Sequence, residues 1–303
     1  MRLTPILHSV SYAGTWGQTR LTPDAFVNKA ADLGFRGVML MAKRPHLSVL
    51  DYGQPERAAL RATIERRGLD VVSIAGYTNF TADLEHSDIP LIEMQIQHVT
   101  ELARLASDLG GSLVRIFTGY DNPARKYGEQ WNLIVAALRE CAQRASDFGV
   151  IIGVQNHHDI GVGYQTHYDL IRQVDHPNCR AMFDAWAPAL QGADIVAAAR
   201  AMGSVAVQTT IADYVLRPRY KYNPAIVNYV AETPAVQAVL MGQGIIDYRG
   251  FLSELMSAGF SGPVAYEMCS PLLEGGSEDV LDRYARAFLE YMQGLERTST
   301  TSV

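Results

Sequence analysis

Four short apolar runs in the second half of the sequence end in side chains that bind metals or transfer protons. These side chains are Gln155 and the residues up to Asp159, then Asp184, then Gln208 to Thr210, and finally Glu267. Carboxylate and amide oxygens suit Mn²⁺ or Mg²⁺, and the two carboxylates would supply negative charge. Any one of these residues could simply begin a solvated loop, but four in register favour a site. We therefore predict a divalent-cation site with Gln155, Asp184, Gln208 and Glu267 as its ligands.

Two adjacent histidines, His157 and His158, follow the first of these runs. Adjacent residues of an extended chain point to opposite faces, so at least one ring should face the site. A histidine in this place can also serve only to cap backbone groups. We predict that one of the pair is catalytic.

Further residues could hold a substrate. His8 and Tyr12 lie near the end of the first predicted strand, and Trp186 and Tyr214 could stack on a sugar ring. Arg217 belongs to the only locally basic cluster, with Arg219 and Lys221, and could hold an anionic or hydroxyl-rich ligand. The alternatives are packing for the aromatic rings and a solvated loop face for the arginine.

A repeated pattern of amphipathic segment, glycine and short β-branched run must position these residues. The glycines expected to end helices in the left-handed conformation are Gly34, Gly68, Gly110, Gly149, Gly203 and Gly259. The predicted strands are 5–10, 38–41, 71–74, 113–117, 151–154, 179–183, 205–207 and 264–266. Continuous apolar runs are typical of strands covered on both faces by helices. Eight such units predict an α/β fold, a (β/α)₈ TIM barrel in a single domain, with chemistry at the carboxyl ends of the strands.

The barrel is predicted to span residues 1–294, with one unusually long connection. Residues 211–247, between the seventh strand and the seventh helix, are rich in Arg, Tyr, Asn and Pro and should form a lid or a substrate wall. The glycine pair Gly242 and Gly244 near its end indicates a turn more than a phosphate cradle. Residues 295–303 are small and polar at their end and are predicted to form a flexible tail.

The composition excludes several classes of protein. The chain has 303 residues and a net charge of −6 without a basic run, which argues against binding to nucleic acid or to anionic membranes. The three cysteines are far apart in apolar contexts, so a disulfide framework is not expected. Without a leader-like amino terminus or an apolar run of membrane-spanning length, we predict a cytoplasmic protein.

Five segments together resemble the xylose isomerase-like superfamily of TIM barrels, the sugar phosphate isomerase/epimerase group. The resemblance covers nearly the whole chain and is carried by 153–157, 182–184, 209–213, 242–248 and Tyr266 with Glu267. In relatives a glutamate, an aspartate, a histidine and a glutamate after strands five to eight hold a metal. The resemblance places Gln155, Asp184, Gln208 and Glu267 at these positions and implies Mn²⁺, with Mg²⁺ as the alternative.

Two of these four positions carry amides, which keep an oxygen donor but lose a charge or a stronger nitrogen donor. In the epimerases of the superfamily one metal-bound glutamate takes a proton next to a carbonyl and the second returns a proton from the other face. An amide such as Gln155 cannot accept a proton. One-base chemistry is therefore predicted. Glu267, His157 or His158 removes a proton next to a carbonyl, and a cation or fixed donors hold the oxyanion.

The sequence places β-elimination from a keto-sugar, as in 3-oxo-glycoside deglycosidases, slightly ahead of aldose–ketose isomerisation or epimerisation. A barrel that only binds a sugar is a third hypothesis, and an apurinic-site endonuclease is disfavoured because no basic face is visible. The predicted partner is a small sugar or glycoside. The resemblance also implies a homo-oligomer or a small second subunit.

Overall fold

The computed structural model describes residues 3–84 and 88–300, with side chains up to residue 295, and shows a closed barrel of eight parallel strands. The barrel strands are β1 (Leu3–His8), β2 (Gly37–Met41), β3 (Val71–Ala75), β4 (Leu113–Ile116), β5 (Ile151–Gln155), β6 (Cys179–Met182), β7 (Ala206–Ile211) and β10 (Gly262–Tyr266). Around the barrel β10 lies between β1 and β7, and the other strands are adjacent in chain order. The predicted (β/α)₈ barrel in one domain is confirmed.

Helices cover the outside of the barrel. They are α1 (Pro23–Leu33), α2 (Gln54–Arg66), α3 (Leu91–Asp108), α4 (Tyr127–Ser146), α5 (Tyr164–Val174), α6 (Trp186–Leu190), α7 (Ile195–Met202), α8 (Tyr248–Ser257) and α9 (Glu278–Thr300), with 3₁₀ turns at Ser9–Tyr12 and Ala82–Leu84. Their apolar faces pack on the strands in one large core. A second, small cluster of Ile6, Met39, Ala75, Met182 and Ala265 fills the inside of the barrel, so the barrel is a packed core rather than a pore.

The helix ends follow the predicted signals, with one exception. Thr22 caps α1 by accepting the Ala25 N–H, and Gly34 ends α1 with φ of 96°. Gly203 was predicted to be left-handed as well, but it has φ of −56°. A Cβ at Gly203 would lie 2.5 Å from the Cβ of Ala258, so this glycine permits close packing of α7 against α8.

The long connection after β7 is a hairpin rather than an irregular loop. Strands β8 (Asp213–Asn223) and β9 (Asn228–Val239) pair antiparallel, and most of their side chains are exposed. Arg217 donates to Gln237 across the pair, and Arg219 donates to Glu232. The hairpin therefore stands on the barrel rim, with its base packed and its tip in solvent.

Two further boundaries differ from the prediction. The first strand ends at His8, and residues 9–12 turn away in a 3₁₀ helix. Helix α9 continues to Thr300 through residues 295–300, which were assigned to the tail, because no glycine or proline stops it there. Residues 301–303 lie outside the described residues. None of the described helices combines the length and the apolarity needed to cross a bilayer.

Candidate active site

A cavity of about 240 Å³ opens at the carboxyl ends of the barrel strands. Seven of the residues that were given a role from the sequence line it, namely His8, Gln155, His157, Asp184, Trp186, Tyr214 and Glu267. The rings of Trp186 and Tyr214 lie 4.3 Å apart between centroids and form one wall. This is the end of the barrel at which enzymes of this fold carry their active sites.

Asp184 and Gln155 form a tightly held pair on one side of the cavity. The Gln155 Nε2 donates to Asp184 Oδ2 at 2.7 Å, and the Trp186 N–H donates to Asp184 Oδ1 at 3.1 Å. Asn156 fixes the backbone of Asp184 by donating to its carbonyl and accepting from its N–H. Burial raises the pKa of Asp184 to about 6, against these hydrogen bonds. Both carboxylate oxygens of Asp184 are therefore already engaged by donors of the chain.

The structure does not bring Gln208 to the cavity. Strand β7 continues to Ile211, four residues beyond the predicted end at Val207, so Gln208 lies in the middle of the strand. Its Nε2 lies 3.2 Å from the sulfur of Met39 and 3.7 Å from that of Met182, inside the barrel. Thr210, two residues further on the same face, lines the cavity instead. The prediction that Gln208 faces the site is therefore wrong, and Thr210 is the residue of this strand that lies at the cavity.

Glu267 follows β10 directly and reaches the cavity with 18% of its side chain exposed. Its Oε2 lies 3.6 Å from Nε2 of His8, and the Cys269 thiol is a hydrogen-bond partner of the carboxylate. Burial raises the pKa of Glu267 to about 7; the charge of Asp184 adds to this, and the guanidinium of Arg115 opposes it. A carboxylate with such a pKa is matched to proton transfer near neutral pH.

Arg115, the third residue of β4, is buried within the same cavity and is only 2% exposed. Its Nη1 donates to the carbonyl of Gly76 at 3.1 Å, and its Nη2 lies 3.3 Å from Nε2 of His8. The guanidinium carbon lies 4.2 Å from the ring centroid of Phe117 and 4.9 Å from that of Tyr77. The Nε is buried and has no hydrogen-bond partner among the described residues.

The two candidate histidines contact each other instead of pointing apart. Their Nδ1 atoms are 2.8 Å apart, and His158 has a left-handed backbone with φ of 65°, so the alternation of an extended strand does not apply. His157 lines the cavity, whereas His158 stacks on Tyr120 at 4.1 Å and lines only a neighbouring pocket. Burial lowers the pKa of each ring to about 4. Their catalytic role stays a prediction.

Two predicted substrate residues lie outside the cavity. The Tyr12 hydroxyl donates to Asp282 at 2.8 Å and its ring packs on Phe26, because the first strand ends before it. Arg217 is on the exposed hairpin. In contrast, Trp16, Thr210 and Cys269 line the cavity. Cys269 could have been found from its position two residues after Glu267, on the same side of an extended chain.

The glycine pair near the hairpin has a structural explanation. The N–H groups of Gly242 and Gly244 both donate to Oδ2 of Asp213, at 2.9 and 2.8 Å. A Cβ at Gly244 would overlap the Asp213 carboxylate, so only glycine fits there. Because these N–H groups are already used, the turn offers no phosphate cradle.

The residues around the cavity do not fit the four-ligand metal set that the resemblance implies. The four positions carry Gln155, Asp184, Thr210 and Glu267, with two carboxylates and no histidine. The Asp184 oxygens face donors, and the Arg115 guanidinium already places a positive charge in the cavity. Over the described part of the chain, no cluster of three or more His, Cys, Asp or Glu could hold a metal ion.

The closed parallel barrel and the polar cavity at the ends of its strands define a TIM barrel of the type that carries its site among the strand-end loops. The chain belongs to the xylose isomerase-like TIM barrel family, whose family model matches residues 27–290.

Relatives and structural neighbours of this chain include several sugar epimerases. The chain is 27% identical over 177 residues to 2-epi-5-epi-valiolone 7-phosphate 2-epimerase of an Actinoplanes species, a match that spans 58% of this chain and 62% of that enzyme. D-psicose 3-epimerase of Clostridium cellulolyticum, solved with D-tagatose, superposes with a TM-score of 0.73 at 18% identity, over 96% of this chain and 99% of that one. An L-ribulose 3-epimerase superposes with a TM-score of 0.72 at 18% identity, over 100% of this chain and 99% of that one. At these identities the superpositions show the shared fold.

Proposed function

We propose that the protein is a carbohydrate isomerase or epimerase that removes a proton from the carbon next to a ketone, with Glu267 as the base. The observation that carries this proposal is the placement of Glu267. A single partly exposed carboxylate lies at the cavity wall, beside His8 and in the same cavity as the buried guanidinium of Arg115. A base beside fixed positive charge is the arrangement that enolisation of a ketone requires.

Glu267 suits this role better than the histidines. The pKa of Glu267 is about 7, whereas the pKa of His157 and of His158 is about 4, which makes each ring a weaker base. His158 also lies outside the main cavity. We assign Trp186 and Tyr214 to the wall against which an apolar face of the sugar packs.

Isomerisation or epimerisation is favoured over β-elimination, which the sequence placed first. The relative and two of the structural neighbours are epimerases by name, and none of these three is named for a lyase. Within the class, Gln155 in place of a second glutamate favours aldose–ketose isomerisation. One carboxyl group can take a proton from one carbon and return it to the next on the same face.

The test is incorporation of solvent deuterium into candidate ketoses, followed by NMR in D₂O. D-fructose, D-tagatose, D-allulose and L-ribulose are the sugars to offer first, with a 3-oxo-glycoside as the elimination substrate. We expect deuterium at a carbon next to the ketone in at least one ketose. Glu267→Gln should lower the rate at least about 10³-fold, and the exposed Glu129→Gln should not change it.

The outcomes separate the hypotheses. Release of the aglycone from the 3-oxo-glycoside without isomerised ketose would return β-elimination to first place. No deuterium incorporation into any of these compounds would contradict the proposal. Association into a homo-oligomer or with a small second subunit stays a prediction, which light scattering on the purified chain would test.

A further inference from the structure

The cavity holds a positively charged side chain of its own, the buried guanidinium of Arg115. We propose that the guanidinium of Arg115, rather than a divalent metal ion, holds the oxyanion that forms when Glu267 removes the proton. This inference rests on the proposed function and names the electrophile of the same site. It accounts for the altered ligand set, because a fixed guanidinium and a divalent cation would repel each other in one small cavity.

The topology brings the base and the cation together from opposite sides of the barrel. In the closed order of eight strands, β4 and β10 are four places apart, so the residues at their ends face each other across the axis. Arg115 extends from β4 until Nη2 is 3.3 Å from Nε2 of His8, and Glu267 approaches the same nitrogen to 3.6 Å. A ketone lying beside His8 is therefore within reach of both groups.

The guanidinium has donors to spare. Among the described residues Arg115 forms no ion pair within 4 Å; it is a hydrogen-bond partner of the Tyr77 side chain, and its buried Nε has no acceptor. Its Nη1 donates to the carbonyl of Gly76, which anchors one side of the planar group. The guanidinium interacts with the charges of Glu267 and Asp184 only at a distance, so an oxyanion in the cavity could accept a direct, charge-assisted hydrogen bond from it.

The proton and the electron pair balance without a metal. The Glu267 carboxylate takes the proton from the carbon next to the ketone, and the C–H electron pair forms a C=C bond. The carbonyl π pair moves onto oxygen, which becomes the oxyanion that accepts hydrogen bonds from Arg115. For isomerisation the proton of the neighbouring hydroxyl passes to this oxyanion, which leaves the negative charge on the other oxygen. The Glu267 carboxylic acid then returns its proton to the former carbonyl carbon through the C=C electron pair, the charged oxygen forms the new carbonyl, and the base is restored.

The first experiment compares metal dependence with arginine dependence. After dialysis against a chelator, deuterium exchange into the active ketose should keep its rate, and added Mn²⁺ should not raise it. Titration calorimetry of the stripped protein with Mn²⁺ should show no stoichiometric binding. Arg115→Met should lower the exchange rate about 10²- to 10³-fold. Arg115→Lys should lower this rate less, because lysine keeps the positive charge. The control variant Arg286→Met, at an exposed position, should exchange at the wild-type rate.

A second measurement needs no turnover. Oxalate is a planar dianion that resembles an enediolate, and it should bind the metal-free wild type and Arg286→Met but not Arg115→Met in calorimetry. If circular dichroism shows that Arg115→Met does not fold, Arg115→Lys takes its place. This variant should bind oxalate measurably but more weakly than the wild type does.

The two proposals fail in different ways. Oxalate binding without deuterium exchange in any ketose overturns the proposed function and leaves Arg115 as the anion-holding residue. Exchange that disappears on chelation and returns with Mn²⁺ overturns the role of Arg115, as does oxalate affinity that Arg115→Met leaves unchanged or that the wild type lacks.

Discussion

At the scale of single residues, the pKa of Glu267 predicts how activity depends on pH. Burial raises that pKa to about 7, and the base is active only when it is ionised. The kcat/KM for ketose isomerisation should therefore rise about tenfold per pH unit below pH 7 and level off above it. Initial rates between pH 5 and pH 9 measure this directly. A profile that is flat between pH 5 and pH 7 would show that another group is the base.

The sequence singled out Asp184, Glu267 and Gln155 because each directly follows a predicted strand whose apolar run is easy to recognise. It did not identify the role of Arg115, since a long side chain at a strand end can point along the wall or across the cavity, and only the packing of Tyr77 and Phe117 decides this. Tyr12 was misplaced because the chain leaves the first strand earlier than its apolar pattern indicates.

At the scale of elements, the register of β7 decides which residue faces the site. Val205 to Val207 is the only continuous apolar run there, so the strand was expected to end before Gln208, but the polar residues 208–210 continue the strand. Tertiary pairing with β10 at Thr209 and Thr210 overrides the local pattern.

This register predicts a gain of metal binding. In an Arg115→Met background, which removes the competing positive charge, Gln155→Glu combined with Thr210→His gives the cavity the ligand types that the resemblance implies. This double substitution should bind Mn²⁺ at micromolar concentration, measured by electron paramagnetic resonance. Gln155→Glu combined with Gln208→His is the matched control and should not bind, because residue 208 lies among Met39 and Met182. Equal binding by the two double variants would show that β7 is shifted by two residues.

The hairpin of β8 and β9 should be dispensable for folding. The side chains of residues 216–234 are exposed except for the half-buried Asn223, while Tyr214 and Ala238 at the base of the hairpin are buried. Replacing residues 217–235 by an Asn-Gly turn should therefore change the Tm by less than about 3 °C, because little apolar area is lost. Differential scanning calorimetry measures the change, and light scattering follows the mass. A large loss of stability together with a smaller mass would instead show that the hairpin packs against another copy.

At the scale of the whole molecule, the barrel was predictable because each of its strands is covered by helices and keeps an apolar run. The inside of the barrel was not, because its polar members Gln208 and Arg115 interrupt that pattern. The inside of the barrel and the cavity above it therefore hold the departures from a hydrophobic core, and these departures should cost stability.

Glu267→Gln should stabilise the protein above neutral pH while abolishing its activity. The pKa of Glu267 is raised from 4.5 to about 7, so folding favours the protonated acid, and the wild type loses stability as pH rises from about 4.5 through about 7. Because glutamine does not titrate, the unfolding free energy of Glu267→Gln should exceed that of the wild type by an amount that grows over this pH window to about 3 kcal/mol. This corresponds to roughly 5 °C in Tm, and the difference should stay constant at higher pH. Thermal unfolding from pH 4 to pH 9, with Glu129→Gln as the exposed control, measures the difference. A difference in unfolding free energy between the wild type and Glu267→Gln that does not change with pH would mean that Glu267 titrates alike in the folded and unfolded chains. The cavity would then not be the desolvated site on which proton transfer by this carboxylate depends.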